Sequence, residues 1–166
     1  MDIRQALLDE HSTRQTAAIV DYIGCDEARF GELMAAFFAG PYRVTQRAAW
    51  PMSNCVELHP ELIGPYLPKL IDLLKRDDFH NAVRRNVVRL LQFIDVPQQY
   101  AGKVYSDCID LLNDPNEPVA VRVFSMTVAA KIARSEPDLM NELRLVIREH
   151  LPNASPGFLA RARKLI

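Results

Sequence analysis

Few residues in the chain combine a reactive type with a productive spacing. Cys55 and His59 stand at i and i+4, which on a helix puts a thiol and an imidazole on one face, as a nucleophilic pair or as two metal ligands. Two ligands do not complete a metal site, and a plainer reading accounts for both residues. Cys55 belongs to the apolar face of its segment, and His59 closes that segment where a cation complements the helix dipole. His150 takes the same end-of-helix place, while His11 and His80 adjoin turns and carry no partner signal. The carboxylate pairs Asp9-Glu10, Asp26-Glu27 and Asp77-Asp78 fall at segment edges, as solvated caps rather than acid–base dyads. There is no Gly-rich phosphate loop, no Gly-x-Ser-x-Gly and no His-Glu-x-x-His, and six glycines are too few for a nucleotide-binding fold. No catalytic residue, cofactor ligand or metal ligand is assigned. One constellation does face outward: Gln46, Trp50, Ser53 and Glu57, spaced 4, 3 and 4 apart opposite an apolar stripe of Val44, Ala48, Met52 and Cys55 or Val56.

The elements that must position these residues are helical. Ser12-Thr13-Arg14-Gln15 has the capping-box form, in which Ser12 and Gln15 satisfy each other's free backbone donors, and the helix it starts runs to about Gly24. A second helix spans roughly 27–39 and ends at Gly40-Pro41; a third runs from about Arg43 to His59, before Pro60. Apolar residues at helical spacing then predict helices over 66–76, 81–94, 98–113, 119–134 and 137–150. A last helix follows Ser155-Pro156, with Ser at the N-cap and Pro in the first turn. No segment sustains strand alternation, so the chain reads as all-α.

Self-similarity organises these helices. Val44, Val83, Val121 and Phe158 open four second helices at intervals of 39, 38 and 37 residues. In each, positions one, five and nine share a face, and position five is small in three of four (Ala48, Ser125 and Ala162, against Val87). A two-helix unit with two apolar faces cannot bury both alone, whereas stacked units bury a continuous core. Asp78 before Val83-Arg84 and Asp114 before Val121-Arg122 supply the Asp turn and Val-Arg opening of HEAT repeats, which this chain resembles. Val44 is followed by Thr45 and Phe158 by Leu159, so the outer units depart from the pattern, as capping repeats do. The resemblance implies a right-handed α-α superhelix, a solenoid of about four helical hairpins. It makes 1–166 a single domain with hairpins at 28–60, 66–95, 98–135 and 137–166, and 1–27 a cap or decayed repeat. In such repeats an arginine ladder joins Asp groups of adjacent turns, and Arg47, Arg84 and Arg122 are assigned to that kind of bonding.

Shifting the outward constellation by the repeat places Arg85 level with Gln46 and Arg89 level with Trp50. Val123 and Thr127 follow one unit on, then Ala160 and Lys164. The resemblance puts these helices on a concave face, where Trp and Arg have the composition of an interaction hot spot. Gln46, Trp50, Arg85, Arg89 and Lys164 are therefore the candidate partner-binding residues, Trp50 and Arg89 facing one ligand together. The competing expectation is that Pro51 kinks the helix and turns Trp50 inward against Phe37 and Phe38.

Composition bounds the function. The 166 residues are 49% hydrophobic and 25% charged with a net charge of -1, which is globular usage without a basic field for nucleic acid or membrane. Residues 1–40 carry a net charge of -4 and residues 139–166 one of +3, a polarity suited to an asymmetric partner. Three unpaired-looking cysteines, no transmembrane run and a start, MDIRQALLDE, without signal-peptide features point to the cytoplasm. The favoured function is a non-enzymatic protein- or peptide-binding scaffold with no cofactor. The alternative is DNA binding or repair, by resemblance to the HEAT-like alkylpurine DNA glycosylases, whose groove uses Trp, Asp and Arg; no Asp shares the Trp50 stripe. A HEAT-like lyase chaperone for a bilin chromophore finds no cofactor motif here. Sequence leaves the oligomeric state undetermined.

Overall fold

Helix boundaries follow local capping chemistry. The computed structural model describes every residue except Asp77, Phe79 and His80, and among the described residues it contains helices and no strand. The expectations for Asp77 and His80 therefore lie outside the described residues. Ten α-helices run in chain order among the described residues: α1 Ile3–Asp9, α2 Thr13–Ile23, α3 Glu27–Ala39, α4 Tyr42–Leu58, α5 Leu67–Asp72, α6 Asn81–Leu91, α7 Gln98–Asn113, α8 Val119–Ile132, α9 Pro137–His150 and α10 Pro156–Ala162. Asp2, Ser12, Asp26 and Ser155 each accept from a backbone N–H in the first turn of the helix they start. The capping box is half formed: Ser12 caps Gln15, but the Gln15 side chain reaches away to the Ala6 carbonyl at 2.8 Å, tying α2 to α1. The segment expected as one helix over 66–76 is shorter and tighter. Pro60–Tyr66 and Leu73–Lys75 are 3₁₀ turns on either side of a six-residue α5; Pro65, inside the first of them, withholds a donor that a regular helix needs.

The chain forms two compact units, Met1–Ile94 and Asp95–Ile166. In the first, α4 is the central helix, packed by α1, α2, α3 and α6. Gly40 is what lets α3 turn into α4: a Cβ there would come within 2.8 Å of Val44 and 2.3 Å of the Ala36 carbonyl. In the second, α8 packs against α7, α9 and α10, and Tyr105 of α7 donates to the Leu139 carbonyl of α9 at 2.6 Å.

The aligned anchor positions are equivalent in burial. Val44, Ala48 and Met52, then Val83, Val87 and Leu91, then Val121, Ser125 and Ala129, are all closed to solvent; in the last line Phe158 and Ala162 are buried too. Only Ile166 departs, 43% exposed beyond the end of α10. Position two of these helices has a common task. The last carbonyls of a helix lack intrahelical donors, and Arg84 Nη2 reaches the Arg76 carbonyl at 2.8 Å while Arg122 Nε reaches that of Leu112 at 2.9 Å. Thr45 does the same with a hydroxyl, donating at 2.9 Å to Phe37 and at 3.3 Å to Gly40. Arg47, one turn later, donates to Leu7 and Leu8 at the end of α1. These hydrogen bonds end on backbone carbonyls, while Asp114 holds its own turn through Asn116 and stands close enough to Arg122 to favour its charge.

Candidate functional site

The site begins with the polar positions of α4. Its stripe of Val44, Ala48, Met52, Cys55 and Val56 is buried as expected, and Trp50, half-buried, stands on the other side. Ser53 corrects the sequence reading: it is fully buried, because α6 packs over it and Arg89 donates to its hydroxyl. The same guanidinium donates to Asn54 Oδ1 at 2.9 Å and to the Glu57 carboxylate, and lies 5.2 Å from the Phe93 ring centre. Arg89 is thus spent on its neighbours. It clamps α6 to α4 and fixes where Glu57 stands.

Between α2, α4 and the end of α6 lies an open cleft of about 430 Å³. Trp50, Asn54, Glu57 and Leu58 of α4 form one wall, with Arg89 behind them; Thr13, Thr16, Ala17, Val20 and Asp21 of α2 form the other. That volume is within the range of small-ligand and side-chain pockets. Trp50 does not turn toward Phe37 and Phe38, which meet each other edge-on at 5.1 Å. Its ring packs edge-to-face on His11 at 5.7 Å, and no described group accepts from its indole N–H. Pro51 is buried inside α4, which continues through it. Leu58 is 62% exposed at the rim, an apolar side chain with unusual access to water.

Of the five candidate residues, the structure brings Trp50 and Arg89 to this cleft. Gln46 and Arg85 lie on α4 and α6 but outside its walls, and Lys164 is exposed in the C-terminal unit. The α2 wall went unread in the sequence, since Asp21 and Thr13 look like ordinary surface residues of an amphipathic helix.

The other titratable candidates have structural roles. Burial pushes the Cys55 thiol up to about 12, so it makes no thiolate for His59; the His59 backbone N–H closes α4 on the Cys55 carbonyl at 2.7 Å, and its imidazole lies 3.5 Å from Glu61. Burial and the nearby Arg122 lower the pKa of His150, which favours the neutral ring; it shares a 2.9 Å hydrogen bond with Asn113 rather than serving as a helix-end cation. Asp26 is an N-cap, and Glu10, held below the usual carboxylate range by Ser12 and Arg14, pairs with Arg14. Among the described residues no three His, Cys, Asp or Glu side chains converge, and no helix is long and apolar enough to cross a membrane.

A family model described as a HEAT repeat domain matches residues 3–166, taking in the first 27 residues that the repeat pattern alone left apart. No curated protein and no solved structure matches the chain.

Proposed function

The chain belongs to the HEAT repeat domain family, and from that premise we propose that it is a protein-interaction module whose N-terminal unit holds a partner segment in the α2–α4 cleft. The observation that carries this reading is Trp50: a half-buried indole with a free N–H, in a cleft whose walls mix apolar side chains with hydrogen-bonding groups. Tryptophans in such settings anchor interfaces, contributing about 2 kcal/mol or more where they are hot spots. Asn54 supports it, because Arg89 occupies its carbonyl oxygen and leaves its amide donors toward the cleft. Arg89 serves as a positioning residue rather than a ligand.

The test is selection from a displayed library of short peptides. Wild type is expected to enrich a family of sequences that Trp50→Ala loses by about thirtyfold in affinity, with the thermal midpoint of the variant within a few degrees of wild type. Retention of the same peptides by Trp50→Ala would overturn the proposal.

A DNA-repair reading gains one point from the structure, since α2 brings Asp21 into the cleft of Trp50. Two carboxylates against one internally paired arginine leave that cleft negative, which repels a phosphate backbone. Retention on methylated duplex, falling steeply with salt, would favour that reading over peptide binding.

A further inference from the structure

Resting on that reading, we infer that the occupant of the cleft is a peptide carrying a lysine or arginine beside an apolar residue. The charges decide its chemistry. Asp21 and Glu57 are both exposed, one on each wall, and Arg89 is the cation among the cleft's described walls. Its donors already meet Ser53, Asn54 and Glu57, so it neutralises part of Glu57 and leaves Asp21 uncompensated.

The helices add to this field. Asp21 and Glu57 stand in the last turns of α2 and α4, the ends where helix dipoles place their negative poles. Neither last turn holds a basic residue. A protein ordinarily sets Lys or Arg at such ends; here two acidic ends share one cleft, and among its described lining residues the one cation, Arg89, is already paired with Glu57. A ligand ammonium or guanidinium would supply it, with the Trp50 ring beside the same position for a cation–π contact. The apolar neighbour follows from Val20, Ala17 and Leu58, which line the same space.

Trp50 is the sole tryptophan of the chain, so its emission reports the cleft directly. The probes are three capped pentapeptides, acetyl-Leu-X-Leu-X-Leu-amide, with X as lysine, norleucine or glutamate. The lysine peptide is expected to shift Trp50 emission and bind about fivefold tighter than the norleucine peptide. The glutamate peptide should be weaker still, and the lysine advantage should shrink between low and high salt. Asp21→Asn with Glu57→Gln should reduce the lysine preference, read as the ratio of lysine to norleucine affinity in the same variant, to less than about twofold; Gln keeps an acceptor for Arg89. Equal shifts of Trp50 emission and equal affinity for all three peptides would overturn the cationic ligand and keep the cleft as a peptide site. Emission unmoved by every peptide would overturn both.

Discussion

The second helices α4 and α8 stand at corresponding positions in their units and end up with different surfaces. Each is tied by an arginine from the next second helix: Arg89 of α6 donates to Ser53, Asn54 and Glu57 of α4, and Arg161 of α10 donates to Thr127 of α8. On α8 the bond ends at one hydroxyl, beside a buried face of Val121, Ser125, Met126, Val128 and Ala129. On α4 it ends at a carboxylate on the rim of a cleft, beside Trp50 at the position Thr127 fills in α8. One tether serves packing in one unit and stands behind the proposed partner cleft in the other. The difference rests on two side chains, Trp50 and Glu57, and on α2 standing across from them.

The closed unit should break most readily at Phe158, buried beneath Arg122 (4.9 Å) and His150 (6.2 Å). Phe158→Ala is expected to cost about 3–5 kcal/mol by the cavity it leaves, read as a lower urea midpoint; a loss below about 1 kcal/mol would show that α10 contributes little. Thr45 sharpens the comparison next. Thr45→Val keeps the shape but strands the Phe37 and Gly40 carbonyls in a buried place, an expected loss of about 1–3 kcal/mol. Thr45→Ser, which restores the hydroxyl, should recover most of it. Ser125 tests the opposite sign. Its hydroxyl is buried beside the Cys108 thiol with no other partner among the described residues, where α4 and α10 carry Ala48 and Ala162, so Ser125→Ala should leave stability unchanged or raise it by up to about 1 kcal/mol. A clear loss on chemical denaturation would mean the hydroxyl is satisfied in solution.

His150 gives the smallest effect. Its folded pKa lies below the ordinary 6.5, so below that pH the unfolded chain binds the proton more readily. The stability it contributes is present above about 6.5 and is lost as pH falls through the lowered folded value. Wild type should therefore lose slightly more stability than His150→Gln between pH 7.5 and pH 5; identical losses would remove His150 as a source of acid sensitivity.

Much of the architecture was legible because its signals are local. Ser12, Asp26 and Ser155 cap the helices they precede in sequence, and Gly40-Pro41 and the Pro115–Pro118 turn stop helices through chemistry that needs no distant partner. The interval near 38 residues was equally plain, since every repeat must bury the same face, and the anchors from Val44 to Phe158 are buried. The site was legible only by half. Trp50 stands out by type, but Ser53 looked exposed because α4's own periodicity cannot say that α6 lies over it. Arg89 looked free for the same reason, its acceptors being 32 to 36 residues away.

What the sequence determined by itself was most of the helices (though not α1), their repeat and the apolar side chains they bury, because capping and periodicity act within a turn or two of the chain. Only tertiary packing decided that α2 faces α4, so that Asp21 and Trp50, far apart in the chain, line one cleft while Gln46 and Arg85 stand outside it. The distance between those outcomes is physical: burial of an apolar stripe constrains a helix's inward face strongly, and leaves the meeting of outward faces to the angles at which whole helices stack.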